Sequence, residues 1–507
     1  MISSVSSPRP LLSPTSRVAL GLALLTLLAY LNSFTGLYLF DDGGAIIDNP
    51  TIRHFSTALA PIPNGTPVSG RPLVNLTFAL NYAISGLGVW SYHALNLLIH
   101  LLAALTLFGF VRRTLLLPSI APRLRAAALE IAATVAALWT VHPLQTEAVS
   151  YLSQRAEALM GLFYLLTLYA FARSVDDESA KTRWRVLAFA ACLAGMASKE
   201  VMVSAPLMVL LYDRTFCAGS FAAALRRRAG FYLALAATWL LLIAEMIQVG
   251  SRGGAVGPGL KIDSWHYALT QCHAIALYLG LACWPHPLIF DYGTTTAASL
   301  RAVAPEAALV FALVALTIAL VAKRSPFGFI GAWFFAILAP SSSIVPLAKQ
   351  TIAEHRMYLP LAAVILLFVL AVHAVCGRAR LAALLVLPLL ALTSLRNGEY
   401  LNGITIWSSS VAHYPENPRG HINLGNAYVN AGQPQSGAAQ FRLALQLDPN
   451  LPEAHNNLGV VEAGLGETAA ARADYLAAMR LFPGWDKPRE NLEHLNAASI
   501  PPSSSSK

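Results

Sequence analysis

Apolar runs long enough to cross a bilayer recur from Arg17 to roughly Leu395, with polar turns between them. An α-helical crossing takes about 20 predominantly apolar residues. One such run would give an anchored soluble protein; this many make a membrane bundle the main body of the chain. Composition agrees. Of 507 residues, 56% are hydrophobic and 12% are charged, about half the charged fraction of an ordinary soluble protein. The expected fold is all-α, a polytopic membrane bundle with a more polar C-terminal part, because the chain turns polar and Asn-rich after Arg396.

Charge placement orients the bundle. The net charge of +9 is carried in short clusters between apolar runs: Arg112/Arg113 with Arg123/Arg125, Lys181/Arg183/Arg185, Arg226 to Arg228, Lys323/Arg324 and Arg378/Arg380. This is the positive-inside pattern, which orients helices. No basic face or reading motif accompanies it, which argues against nucleic acid as a partner. Alternation of the clusters gives about eleven spans within residues 17–395 and puts the C-terminal part outside the cytoplasm. His266 to Trp284 breaks the alternation and reads as an interfacial or re-entrant helix on the outer side. The run to Phe40 is too long for a signal h-region. It reads as a retained first helix after a disordered, Ser/Pro-rich stretch, residues 1–16. The five scattered cysteines contain no CxxC pair and imply neither a disulfide framework nor a zinc site.

A repeat follows the last apolar run. Gly425 to Gly459 and Pro449 to Pro483 are both 34 residues apart, the tetratricopeptide period. Small residues at Gly425, Ala444, Gly459, Ala471 and Ala478 allow paired helices to approach, and Phe441 and Tyr475 fill the space between them. The two units span 418–451 and 452–485. A linker with a degenerate half repeat (396–417) precedes them, and a capping segment with a disordered tail (486–507) follows. Such a short α-solenoid reads as an interaction surface for a protein partner.

Polar constellations gather at the outer ends of the spans. Asp41-Asp42 follows the first helix and opens a long loop to about Trp90. Adjacent carboxylates repel, which raises a pKa and suits a general base; an acidic loop end is the bland alternative. His142 to Glu147, Arg155 with Glu157, Lys199-Glu200, Asp291, and Glu354 to Tyr358 lie at other outer turns. Cations at helix ends usually snorkel to the interface, but their recurrence on one side is what a lipid-phosphate leaving group needs. Gly250 to Gly254 has no preceding strand and is not a nucleotide loop. Asn64 and Asn75 stand in glycan-acceptor sequons. No metalloprotease, serine-hydrolase or Walker motif occurs.

The order of these motifs resembles one family. Phe40-Asp41-Asp42 with Asp48-Asn49-Pro50, Arg71-Pro72-Leu73, Asn81-Tyr82 and Tyr92-His93 come first. His142-Pro143 with Thr146-Glu147-Ala148-Val149, Arg155-Ala156-Glu157, Lys199-Glu200, and Glu354 with Tyr358-Leu359-Pro360 follow. Over about residues 18–485 the chain resembles the transmembrane and tetratricopeptide-repeat O-mannosyltransferases and their bacterial relatives, of the GT-C superfamily. The resemblance implies an inverting glycosyltransferase that moves a sugar from a polyprenyl-phosphate donor to a protein or glycan hydroxyl. It implies an integral protein of a bacterial inner membrane, surrounded by membrane lipids, with site and repeats on the periplasmic side. It makes Asp41 or Asp42 the catalytic base. It places Arg71, His142, Glu147, Arg155, Lys199, Glu354, His355 and Arg356 around the lipid phosphate and sugar. The family's arginine directly after the acid is here His355, with Arg356 next, and the repeat array is much shorter than in the animal proteins. No cofactor is expected; paired acids can hold a divalent metal, without its being essential. Two rival classes remain, a non-catalytic membrane scaffold presenting repeats and a transporter of lipid-linked sugar. A transporter should carry ionisable residues at mid-membrane, and these cluster at helix ends.

Overall fold

A computed structural model describes residues 12–59, 66–250, 262–347 and 349–498. Asn64, Ser251 to Gly254, the first 11 residues and the tail after Ala498 lie outside the described residues. Every element described is helical. Contacts divide the chain into two units. One comprises Met1–Leu288, Thr296–Ala348 and Glu354–Leu401; the other comprises Ile289–Thr295, Lys349–Ala353 and Asn402–Lys507.

The first unit is an integral membrane bundle. Among the described residues, seven helical stretches are long and apolar enough to cross a membrane: Pro14–Thr35, Val89–Leu116, Leu152–Asp176, Glu200–Ala218, Phe221–Val249, Leu300–Ala322 and Ala379–Glu399. Three shorter apolar helices, Ala128–Thr140, Pro326–Leu338 and Leu361–Cys376, stand beside them. Ser264–Cys283, the segment that breaks the charge alternation, is one continuous 20-residue helix and is not among the seven. The first helix, α1 (Pro14–Tyr30), starts inside the stretch read as disordered, where Ser13 caps the amide of Ser16 and Pro14 occupies the first turn.

The loop expected from Asp41 to Trp90 contains a further helix, α2 (Pro72–Ser85). Its period is hidden because its buried face mixes Val74 and Phe78 with Asn75 and Asn81, so polarity does not separate inside from outside. Asn75 is itself buried, with its amide donating to Thr51 Oγ1 at 2.9 Å and the Ala58 carbonyl at 2.7 Å. The second sequon asparagine is therefore not available to a glycan in the folded chain. The next helix, α3 (Val89–Leu116), is followed by α4 (Ala128–Thr140) and α5 (Arg155–Asp176).

An aromatic knot pins the segment Glu354–Tyr358 onto these helices. Trp139 Nε1 donates to the Tyr358 carbonyl at 2.8 Å, and the Tyr358 hydroxyl pairs with His100 Nδ1 at 3.0 Å. The Trp139 and Tyr358 rings meet edge to face with centroids 4.9 Å apart, a favourable quadrupole arrangement. Gly161 on α5 permits the approach, since a Cβ there would stand 2.6 Å from Tyr358 Cε1.

The second unit is a stack of paired helices running from Gly403–His413 through Pro418–Asn430, Pro434–Leu447, Pro452–Gly464 and Thr468–Leu481 to Asp486–Ala498. Its core joins Ile422, Ala438, Phe441, Ala444, Ala454, Leu458 and Val461. A Cβ on Gly425 would lie 2.5 Å from Phe441 Cε1, and one on Gly459 would lie 2.9 Å from Tyr475 Cε1. Both glycines are thus close-approach positions under aromatic rings. The 34-residue period extends to polar contacts. His421 bonds the Pro415 carbonyl and Gln440, and His455 bonds the Pro449 carbonyl and Asp474. Asp291, from the segment between the bundle's helices, belongs to this unit. Its carboxylate accepts from Arg419 Nε at 2.8 Å, Asn417 Nδ2 at 3.1 Å and the Gly293 amide at 3.1 Å. Burial pushes the Asp291 carboxyl up, but Arg419 and these donors prevail and hold it below the usual carboxylate range.

Candidate active site

The turn after the first span separates the two adjacent aspartates. Phe40 adopts φ 44°, a left-handed conformation rarely taken by a bulky residue. Strain of this kind clusters at functional sites. Asp42 is then fully buried. Its carboxylate accepts from the amides of Leu39 at 3.0 Å and Ser153 at 2.7 Å, and from the Ser153 hydroxyl. Burial pushes its pKa up to about 7 against the pull of these donors. Asp41 is only partly buried. Its backbone amide donates to the Tyr151 hydroxyl at 2.9 Å. One acid of the pair is built into the loop, and the other keeps a solvent-facing surface.

The cations divide likewise. Arg155, at the start of α5, is fully buried in a cage made by α2 and α3. Its guanidinium donates to Asn96 Oδ1 at 2.6 Å, Asn81 Oδ1 at 2.6 Å, the Tyr92 carbonyl at 2.9 Å and Thr77 Oγ1 at 3.2 Å. Its flat face lies 4.5 Å over the Phe78 ring. His142 is a cap. Its Nδ1 accepts from the Leu144 amide, and its Nε2 bonds the Ala282 carbonyl; burial lowers its pKa to about 4. Both side chains are occupied by protein groups rather than turned toward a ligand.

The remaining residues form one cluster. Lys199 Nζ pairs with Glu157 at 2.5 Å, both nearly buried. Arg71 reaches Glu200 at 3.4 Å. Glu147 accepts from the His355 amide at 2.8 Å and from His355 Nδ1 at 2.7 Å, so one carboxylate fixes both backbone and ring of that residue. Burial raises the Glu147 pKa to about 7, although the His355 amide, Arg396, Lys199 and Arg356 pull it down. Burial, reinforced by Lys199, drives His355 well below the ordinary histidine value. Arg356 donates at 3.4 Å to Gln271 and Ser342 and lies beside Tyr267 and Tyr278. Glu354 is buried within electrostatic reach of Arg396. Lys199, Arg71 and Arg356 all act on His355. Tyr151, buried and raised by that burial, feels Asp41, Asp42 and Glu147 together, and so joins the acid pair to the cluster. No group of three or more His, Cys, Asp or Glu side chains able to hold a metal occurs among the described residues.

Tyr151, Ser153 and Arg396 carry no sequence signal. The first two sit in an ordinary polar turn, and in the sequence Arg396 only marks where the composition turns polar.

The tetratricopeptide repeat family model matches residues 389–452 and 422–484. A protein O-mannosyl-transferase of Caenorhabditis elegans is 26% identical over 452 residues, covering 84% of this chain and 62% of its own length. Two protein O-mannosyl-transferases of Drosophila melanogaster are 33% and 29% identical, over 37% and 53% of this chain and 23% and 30% of their own lengths. All three of these relatives are named as protein O-mannosyl-transferases. The chain spans less than two thirds of the length of each of these three. The crystal structure of ArnT from Cupriavidus metallidurans bound to undecaprenyl phosphate aligns over 96% of this chain and 78% of its own, with 13% identity and a TM-score of 0.40.

Proposed function

We propose that the protein transfers a sugar from a polyprenyl-phosphate donor to a hydroxyl of a protein or glycan acceptor on the non-cytoplasmic face of a membrane, with Asp41 as the base. The observation that carries this reading is the asymmetry of the aspartate pair. Asp42 spends its carboxylate on Leu39 and Ser153, while Asp41 stands on the strained turn with part of its surface outward. The kinship to protein O-mannosyl-transferases supports the transfer of a sugar to a hydroxyl.

The chemistry is one displacement. Asp41 takes the acceptor's O–H proton, the acceptor oxygen bonds the anomeric carbon, and the bond from that carbon to the phosphate oxygen breaks, with inversion. The leaving group departs as polyprenyl phosphate, and cations fixed in advance stabilise its growing charge. Lys199, Arg71 and Arg356 take that role because all three act on one residue, His355. Glu147 and His355 hold the segment that presents Arg356. Arg155 and His142 act as positioning residues, keeping α2, α3 and the 142–147 turn in register.

The test is to incubate the purified full-length protein with a panel of polyprenyl-phosphate sugars and hydroxyl acceptors and follow released polyprenyl phosphate. Release that needs acceptor and disappears in Asp41→Asn is the expected result. No release from any donor, or unchanged release in Asp41→Asn, overturns the proposal.

A further inference from the structure

One apolar cavity of the bundle is lined by no residue of the acid pair or of the cation cluster. It has a volume of ≈ 230 Å³ and is walled by Leu107, Val111 and Leu115 of α3, by Ile330 and Trp333 of Pro326–Leu338, and by Leu366 of Leu361–Cys376. A second cavity of ≈ 350 Å³ adjoins it along Leu124, Phe327 and Leu370, which line both, and the two together make up the groove. The second cavity ends on Arg123 and His373. Arg123 is exposed there, and His373 Nδ1 is buried with no hydrogen-bond partner among the described residues.

We infer that this groove binds one acyl chain of an anionic glycerophospholipid, with Arg123 taking the headgroup phosphate. Three observations fix the occupant. First, the groove follows α3 from Leu107 to Leu115, about 12 Å at 1.5 Å per residue. That is close to one leaflet of a hydrocarbon core roughly 30 Å thick, so the groove suits a chain from a single leaflet. Second, the wall is almost wholly hydrocarbon and aromatic, whereas the second cavity carries the exposed cation Arg123. An apolar tail on an anionic head complements both ends. Third, the basic mouth belongs to the Arg112 to Arg125 end of α3, the end that positive-inside alternation assigns to the cytoplasmic leaflet.

The lipid phosphate is not the donor phosphate: Lys199, Arg71 and Arg356, which the proposed function gives to the donor, line neither cavity. A lipid seated there would act as a structural ligand, filling the space between α3 and the helices of Trp333 and Leu366.

The experiment uses the full-length protein in detergent with dioleoyl phosphatidylglycerol, dioleoyl phosphatidylethanolamine or undecaprenyl phosphate as probe, read by native mass spectrometry and by the thermal midpoint. Phosphatidylglycerol should be retained roughly fivefold better than phosphatidylethanolamine, the effect of one basic side chain at a lipid surface. Arg123→Ala should remove that preference but still bind both lipids. Ile330→Trp, which fills the groove, should remove the bound lipid and its contribution to the thermal midpoint. Equal retention of the two phospholipids by the wild type overturns the inference, as does unchanged phosphatidylglycerol binding in both variants. Displacement of phosphatidylglycerol by undecaprenyl phosphate at equal concentration would overturn it too, and would give the groove to the donor's tail instead.

Discussion

Replacing Asp42 by asparagine should change how stability depends on pH, whereas replacing Asp41 should change turnover. The Asp42 carboxyl titrates near 3.8 when unfolded and at about 7 in its buried position. Below about pH 4 both states carry the proton. Between about pH 4 and 7 the folded state keeps it and the unfolded state loses it, so this group's stabilisation falls as pH rises and is gone above about 7. Three pKa units at 1.36 kcal/mol each amount to a loss on the order of 4 kcal/mol across that window. The Asp42→Asn side chain does not titrate and has no such dependence. It carries instead a constant cost of roughly 1–3 kcal/mol, because an amide N–H must face one of the three donors that the carboxylate satisfied. The stability curves should therefore converge and cross, with Asp42→Asn weaker at the acid end and as stable as wild type, or more so, at pH 8. Glu147, His142 and His355 also titrate abnormally, but they do so equally in both proteins and cancel in the difference. The assay is the thermal midpoint of each purified protein in detergent across this pH range. Asp41→Asn, run alongside, should follow the wild-type stability curve while losing about 10²- to 10⁴-fold in turnover. Parallel curves for wild type and Asp42→Asn would refute the buried, elevated carboxyl. A stability loss confined to Asp41→Asn would reverse the two roles.

In the repeats, Gly459→Leu must push Tyr475 out of its packed position, at a cost of about 2 kcal/mol; limited proteolysis should cut the repeat unit earlier and leave the bundle intact. Arg419→Ala strips the buried Asp291 of its cation, and the repeat unit should lose about 3 kcal/mol, with Asp291→Asn in the same chain recovering most of it by thermal melting. Lys199→Met strands Glu157 in the bundle and should lower the thermal midpoint by the equivalent of about 3–5 kcal/mol. Adding Glu157→Gln should restore folding without restoring turnover. Turnover that returns with stability would show that Lys199 only balances a buried charge.

Much of the fold is legible because two strong periods dominate the chain. Apolar runs of bilayer length mark most of the spans, and the 34-residue repeat marks Gly425, Phe441, Gly459 and Tyr475 as packing partners before any contact is known. The misreadings occur where polarity and burial part company. The helix Pro72–Ser85 reads as loop because it buries asparagines to hold an arginine. Residues 14–16 read as disorder because Ser and Pro, common in disordered segments, are also the residues that start a helix.

The candidate site is legible as a list of polar residues but not as a set of pairs. Sequence order places Arg155 and Lys199 on equal terms, two cations at outer helix ends. Their environments differ. Arg155 faces neutral oxygens at 2.6 to 3.2 Å on three of its nitrogens. Every one of those bonds would have to break for it to grip a phosphate, with no carboxylate released in exchange. Lys199 faces one carboxylate, Glu157, and acts on the same histidine as Arg71 and Arg356. A phosphate arriving there meets several positive charges together. The distinction rests on which side chains surround each cation, and that follows from tertiary packing between segments over 50 residues apart, such as Asn96 and Arg155. Spacing along one chain cannot encode it, and the same holds for the acid pair. Asp41 and Asp42 are identical in type and adjacent in sequence, and it is Ser153, more than a hundred residues away, that engages the carboxylate of Asp42.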